Sequence, residues 1–164
     1  MKRCWRFFFS LLAVAACLLT AAGSSFSASV PSNDVAIVVN PDVPINDLSL
    51  ADVRKIFMGD RQYWTPNLRI TLLIRAPIAH ERDVVLKTIY HMTEAEFRQY
   101  WIGKIFRAEA VSGPKIVYSN EMAIDLVASI PGCIAFVDAS KVPPNVKVVK
   151  TNGLLPGEPG YPLH

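Results

Sequence analysis

The fold is decided by one segment of the sequence, Leu72-Leu73-Ile74-Arg75-Ala76-Pro77-Ile78-Ala79-His80-Glu81-Arg82-Asp83-Val84. It begins with an apolar run that ends at Arg75, continues through a short loop that contains a proline, and opens a helix near His80. A buried strand followed directly by a helix is the repeating unit of α/β proteins. The segment therefore predicts a strand, a tight loop and a helix, with Arg75 at the carboxyl end of the strand.

Further apolar runs on either side of this unit predict more strands. Val35 to Val39 and Cys133 to Val137 are continuous and rich in β-branched residues, which is typical of strands buried on both faces, and Val146 to Val149 predicts another. Capping residues followed by amphipathic stretches predict helices between these strands, beginning near Ser49, Thr93 and Ser119. Strands that alternate with helices predict one layered α/β domain.

The first 28 residues have the order of a secretory signal peptide, which predicts delivery to the periplasm. Basic residues at the start are followed by an apolar run from Phe7 to Leu19 and then by small residues up to Ala28. This run is shorter than the roughly 20 residues of a membrane span, but an uncleaved anchor stays open as an alternative. A lipid-anchored form is a second alternative, because Val14-Ala15-Ala16-Cys17 resembles a bacterial lipobox with Cys17 as the modified residue.

Two regions are expected after this leader. Residues 33–150 are predicted to form a single domain, which is long enough to bury a core of its own. Residues 151–164 are rich in proline and glycine, and we expect them to form an extended surface segment or a disordered end.

The charge balance excludes nucleic acid as a partner. The chain has 17 basic and 14 acidic residues, but Lys2, Arg3 and Arg6 lie in the predicted leader. The remainder carries 14 residues of each sign. It therefore lacks the excess of basic residues that binds nucleic acid.

The sequence offers little for catalysis or metal binding. His80, Glu81 and His91 do not have the spacing of a zinc-binding helix, and we predict neither a metal nor a cofactor. A Gly-x-Ser-x-Gly nucleophile motif and a glycine-rich phosphate loop are both absent, so we predict that the protein is not an enzyme. Cys133 lies in an apolar run, and we interpret it as a buried structural thiol.

Two pairs of aromatic residues, Tyr63-Trp64 and Tyr100-Trp101, are candidates for a binding platform. Packing in the core or against a loop is the favoured interpretation. Trp101 shares one predicted helix face with Phe97 and Ile105, because the three residues repeat at intervals of four.

Two longer blocks of sequence have a recognisable order. The first is Leu48-Ser49-Leu50-Ala51-Asp52-Val53-Arg54-Lys55-Ile56-Phe57-Met58-Gly59, and the second is Pro131-Gly132-Cys133-Ile134-Ala135-Phe136-Val137. Together with the segments around them, they resemble the periplasmic substrate-binding proteins of phosphate ABC transporters, specifically small single-lobe relatives. The resemblance covers about residues 34 to 150. It implies an α/β fold with a single three-layer lobe, in which helices flank a mixed, mostly parallel sheet of about four to five strands, like one lobe of a type 2 periplasmic binding protein.

The resemblance also implies a function. Full-length members of that family are two-lobed clamps that close on phosphate, whereas this chain is long enough for one lobe. It implies a non-enzymatic periplasmic protein that binds inorganic phosphate or a similar oxyanion in connection with ABC-type phosphate transport. Binding is expected to be weak, because one lobe leaves the ligand open to water. A transporter permease or another envelope protein is the implied protein partner.

The same resemblance points to the site. In the family, an arginine after the strand is followed by a Gly-Ser-Gly-Thr-like loop that holds phosphate at the helix start. Arg75 matches that arginine, but Ile78, Ala79, His80 and Glu81 stand where that loop would be and lack its hydroxyl groups. Ser119 offers a hydroxyl at the start of another helix. The candidate ligand-binding residues are therefore Arg75, Ala79, His80, Glu81 and Ser119, the last four acting mainly through the backbone or the helix starts.

The altered loop leaves a second interpretation open. The carboxylate of Glu81 brings a like charge towards an anion, which costs on the order of 1 kcal/mol or more. Arg75 is alternatively a surface ion-pair partner of Glu81 or Asp83. In that case the lobe is a ligand-free protein-interaction module of the cell envelope, derived from a binding-protein lobe.

Overall fold

The computed structural model describes residues 33–164, and the leader predicted for residues 1–28 lies outside this part of the chain. Strands and helices alternate along it. The strands are β1 (Val35–Val39), β2 (Asp47–Leu48), β3 (Tyr63–Thr65), β4 (Leu68–Arg69), β5 (Thr71–Arg75), β6 (Lys115–Val117), β7 (Cys133–Asp138), β8 (Lys147–Val148) and β9 (Lys150–Thr151). The helices are α1 (Leu50–Phe57), α2 (His80–Val85), α3 (Glu94–Phe106) and α4 (Asn120–Ser129), with a π-helical extension of α2 at Leu86–Tyr90 and a 3-10 turn at Ala139–Lys141.

A five-stranded sheet in the order β6-β5-β7-β1-β8 forms the centre of the fold. β5 pairs in parallel with β6 and β7, whereas β1 pairs antiparallel with β7 and β8. Only β1 therefore runs against the other strands, which confirms the predicted mixed, mostly parallel sheet. The carboxyl ends of β5, β6 and β7 consequently lie at the same edge.

Helices cover both faces of the sheet, which confirms the predicted three layers. On one face α1, α2 and α3 pack around an aromatic cluster that includes Phe57, Tyr90 and Phe136. On the other face α4 places Ala123 and Val127 against the sheet. Every residue of β1 is buried, as expected of a strand that is covered on both sides.

The end of β1 is hydrogen-bonded to helix α4, and the start of β7 packs closely against the backbone of β4. The side-chain amide of Asn40 donates to the carbonyl oxygens of Val127 at 2.9 Å and Ala128 at 3.1 Å. These carbonyls belong to the last turn of α4, where the helix cannot satisfy them itself. Gly132 precedes β7 with φ +70°, and a Cβ there would lie 2.2 Å from the carbonyl oxygen of Arg69, so only glycine fits.

The segment 151–164 differs from the expected surface or disordered end. Tyr161 and Leu163 are buried in the core. The Tyr161 hydroxyl donates to the carbonyl oxygen of Val35 at 2.7 Å, and the Val35 N–H donates to the carbonyl oxygen of Leu163 at 2.8 Å. Burial raises the pKa of Tyr161 to about 12. Two inward-facing side chains anchor the segment, a pattern that its proline- and glycine-rich composition does not reveal.

Helix α3 differs from expectation at one position. Phe97 and Trp101 are buried, which confirms core packing, but Ile105 is 43% exposed. Residues at intervals of four drift around a helix of 3.6 residues per turn, so Ile105 lies about 80° away from Phe97.

Trp64, outside this helix, is also buried, and its indole N–H donates to the carbonyl oxygen of Gly132 at 2.9 Å. Within residues 33–164, no helix is both long enough and apolar enough to cross a membrane.

Replacing Leu163 by alanine should reduce the free energy of unfolding by about 2–4 kcal/mol, because the side chain is fully buried and its removal leaves a cavity. Urea denaturation measures this change. The matched control is Leu155→Ala, which truncates a 37% exposed leucine of the same segment and should cost less than about 1 kcal/mol. Equal losses for the two variants would contradict the anchoring of this segment.

Candidate functional site

The loops that follow β5 and β6 lie side by side at one edge of the sheet. Arg75 is in register with Val117, and the N–H of Ala76 donates to the Val117 carbonyl oxygen at 2.8 Å. One loop leads into α2 and the other into α4. Ligands of open α/β sheets bind at the carboxyl ends of the strands. The five sequence-predicted residues all lie at this edge: Arg75 ends β5, Ala79 to Glu81 begin α2, and Ser119 begins α4.

Arg75 is buried, with 8% of its surface exposed. Its Nε and Nη1 atoms have no hydrogen-bond partner among the described residues. A buried guanidinium without hydrogen bonds is unusual, because removing a charge from water costs several kcal/mol unless the charge is compensated. Arg75 therefore retains donor capacity for an acceptor.

Glu81 is the acidic neighbour of Arg75 and is itself only 7% exposed. Its Oε2 lies 3.7 Å from Arg75 Nε, which is close enough for charge attraction but too long for a hydrogen bond. At an effective dielectric constant near 20, the attraction at this distance is about 4 kcal/mol, and desolvation of both groups offsets part of it. The predicted ion pair with Glu81 therefore exists, but it is buried and not on the surface. Asp83, the other predicted partner, is exposed.

The remaining residues at the start of α2 contribute little side-chain chemistry. Ala79 is the N-cap residue and provides no side-chain cap. His80 is exposed, and its Nε2 lies 3.2 Å from the carbonyl oxygen of Asn33. Neither side chain replaces the hydroxyl donors that the resemblance implies for this loop.

Ser119 begins α4 with a side-chain cap. Its Oγ accepts a hydrogen bond from the N–H of Met122 at 3.0 Å. The pKa of Glu121 is lowered by its own backbone N–H and then by the Ser119 hydroxyl, and the charges of Lys141 and Arg75 lower it further. The start of α4 therefore stabilises negative charge, and Glu121 is one exposed carboxylate that uses this environment.

Arg82 was not singled out from the sequence, yet it holds this edge in place. Its Nη1 donates to the carbonyl oxygen of Arg75 at 2.7 Å, and its Nε and Nη2 donate to the two carboxylate oxygens of Glu94 at 2.8 and 2.9 Å. The guanidinium also lies 4.8 Å from the ring centre of Phe97. Arg82 lies four residues before Leu86, which is buried, so both side chains are on the same helix face. This spacing could have indicated from the sequence that Arg82 is buried.

Reactive groups are few among the described residues. In the part of the chain that the structure describes, no three histidine, cysteine, aspartate or glutamate residues are grouped as metal ligands. Cys133 is buried at the start of β7, and burial raises the pKa of its thiol to about 12. The thiol is therefore protonated near neutral pH, which agrees with its interpretation as a structural residue.

Comparisons with known proteins give matches among solved structures only: no family model and no curated protein matches the chain. An ABC-type phosphate transport receptor from Vibrio cholerae is 20% identical, with a TM-score of 0.60 over 75% of this chain and 48% of its own. PstS from Borrelia burgdorferi is 14% identical, with a TM-score of 0.58 over 75% of this chain and 49% of its own. A phosphate-binding protein from Stenotrophomonas maltophilia is 17% identical, with a TM-score of 0.55 over 77% and 42%.

The chain has the fold of one lobe of a phosphate-binding protein. It spans about half the length of the solved structures that it matches. The predicted resemblance and the predicted α/β lobe are therefore confirmed. These neighbours are described as a phosphate transport receptor, as PstS and as a phosphate-binding protein, and at such low identity the likeness concerns the fold alone.

Replacing Arg75 by methionine should destabilise the protein by about 3 kcal/mol, because the Glu81 carboxylate then stays buried without a cation. Adding Glu81→Gln to that variant should restore most of the loss, since both charges are then gone. Urea unfolding at pH 7 measures the two values. Lys55→Met, which removes one partner of the exposed Lys55–Asp52 pair, is the control and should cost less than about 1 kcal/mol. Additive effects of the two substitutions would show that Arg75 and Glu81 are not coupled.

Proposed function

We propose that the protein is a periplasmic solute-binding-like protein that binds phosphate or a related oxyanion, weakly, in connection with ABC-type phosphate transport. The observation that carries this proposal is the buried guanidinium of Arg75, whose Nε and Nη1 have no hydrogen-bond partner among residues 33–164. An oxyanion is the ligand that such a group binds best, because it offers several acceptor oxygens and compensates the charge.

The surroundings of Arg75 supply the other contacts of the proposed site. Ser119 and the first N–H groups of α4 provide donors at a helix start, where the dipole favours an anion. Ala79 and His80 contribute backbone at the start of α2. Glu81 disfavours anion binding, because its carboxylate already lies beside Arg75 and repels a second anion.

The link to transport rests on the fold. The neighbours described as a phosphate transport receptor and as phosphate-binding proteins support inorganic phosphate as the ligand and an ABC transporter as the system served. In the proposed arrangement, the protein meets a permease or another envelope protein. Affinity stays low because one lobe alone does not enclose the ligand.

Phosphate affinity should rise about tenfold in Glu81→Gln, because the competing negative charge beside Arg75 is removed. Isothermal titration calorimetry with inorganic phosphate, and with sulfate in parallel, measures this change. Asp83→Asn is the matched control, because it removes a carboxylate from the exposed face of the same helix and should leave affinity nearly unchanged. Combining Arg75→Met with Glu81→Gln should abolish binding without leaving a buried charge. Phosphate binding that survives in this double variant, or that is absent from Glu81→Gln, would contradict the proposed site.

The exposed position of Ile78 favours a second function. In it, the protein is a ligand-free protein-interaction module of the cell envelope. Ile78 lies in the loop after Arg75 and is 99% exposed, with φ 85°. A β-branched residue in this conformation is strained, and such strain is found mainly at functional positions. Tyr118 is exposed in the neighbouring loop. These two apolar side chains at the same edge as Arg75 are suited to contact with a protein surface.

Ile78→Gly should raise the free energy of unfolding by about 1 kcal/mol, because glycine adopts a positive φ without strain. Ile78→Ala removes the same exposed side chain but keeps a Cβ, so its stability should change much less. Thermal unfolding compares the two variants. Under the interaction hypothesis both variants bind an envelope partner equally weakly, because both lack the isoleucine side chain. The loss of partner binding is thereby distinguished from the relief of backbone strain, which only Ile78→Gly provides. Equal stability of the two variants would show that the loop is not strained.

A further inference from the structure

A concave site lies at the opposite end of β5 from Arg75. It is a pocket of about 280 Å³ between the β3–β4 hairpin, the start of β5, helix α3 and the loop that precedes β6. The two ends of a five-residue strand are about 13 Å apart. The pocket is therefore separate from the proposed oxyanion site.

The floor of the pocket is apolar. Trp101, Ile70 and Leu72 contribute to it. The six-membered ring of Trp101 lies between two glycines that also line the pocket: a Cβ at Gly59 would come within 2.9 Å of this ring, and a Cβ at Gly113 would lie 3.9 Å from it. Trp101 is only 7% exposed, so it contributes a small part of its surface to the pocket, between these two glycines.

The rim of the pocket is cationic. Arg61, Arg69 and Lys115 line it, and no aspartate or glutamate is among its lining residues. None of the three forms an ion pair within the part of the chain that the structure describes. Arg61 donates to the backbone carbonyl oxygens of Tyr63 and Trp64, whereas Arg69 and Lys115 are exposed. Three unpaired positive charges around an apolar floor favour a ligand that has both a negative charge and an apolar body.

We propose that this pocket binds a small organic carboxylate. The apolar body of the ligand lies against Ile70, Leu72 and the exposed part of Trp101, and its carboxylate lies towards Arg69 and Lys115. The pocket volume is just below the range for drug-sized ligands, roughly 300–1,000 Å³, so the ligand is small. An aromatic ring or a branched aliphatic chain of a few carbons suits this space, because its apolar surface is removed from water against Ile70 and Leu72.

Titration of the isotope-labelled protein with phenylacetate, followed by amide chemical shifts, tests this proposal. Saturable shifts are expected at Leu72, Trp101, Ser112 and Gly113, which all line the pocket. Two control ligands separate the requirements: 2-phenylethanol lacks the charge and acetate lacks the apolar body. Each should bind at least about tenfold more weakly than phenylacetate.

Variants locate the interaction and separate it from the oxyanion site. Combining Arg69→Ser with Lys115→Ser should weaken phenylacetate binding by about tenfold, since it removes two exposed charges without disturbing the core. Lys150→Ser, at an exposed lysine that does not line the pocket, is the control and should bind normally. The variant that combines Arg75→Met with Glu81→Gln should also bind phenylacetate normally, even if phosphate binding is lost. Absent or non-saturable shifts, equal binding of 2-phenylethanol, or unchanged binding by the Arg69 and Lys115 double variant would overturn the proposal.

Discussion

Arg82 joins three elements through one buried guanidinium, and the geometry of the candidate oxyanion site depends on it. The group holds the last carbonyl of β5 and both carboxylate oxygens of Glu94, so the end of the strand, the start of α2 and the start of α3 keep fixed positions. A buried arginine is stable only when its donors are used. Arg82 meets that requirement within the protein. Its neighbour Arg75 does not, because two of its donor atoms have no hydrogen-bond partner among the described residues.

The two buried arginines differ in their hydrogen bonding, and this difference bears on whether the protein binds an oxyanion or is a ligand-free interaction module. Arg75 is almost as buried as Arg82, but it has charge compensation from Glu81 at 3.7 Å and no direct hydrogen bond from Nε or Nη1. A carboxylate inside the protein can neutralise the guanidinium without using its donors. The site is thus half satisfied: its charge is balanced, while its hydrogen-bonding capacity remains. Oxyanion binding exploits the second property, and a purely structural or interaction role rests on the first.

The parts of this fold that were predictable from sequence are those with a local physical signal. Continuous apolar runs indicated β1 and β7 because both faces of these strands are covered. The Thr93–Glu96 capping box located the start of α3, where Thr93 and Glu96 do cap one another. The hairpin β3–β4 and strand β6 have two or three residues each, which is too few to show a period. The burial of Arg75 and Glu81, and of Tyr161 at the end of the chain, depends on elements distant in sequence, so no local pattern reveals it.

The packing of residues 161–163 against β1 also constrains how the sheet assembles. The hydrogen bond from Tyr161 to Val35 joins residues 126 positions apart, and it closes over all other strands of the sheet. Closing a loop of this length costs entropy before the contact contributes any stability, and folds that are rich in such long-range contacts form slowly. During synthesis, β1 is made before every other strand of the sheet and waits for partners that emerge much later. β1 therefore cannot have all its contacts until residues 161–163 have been made.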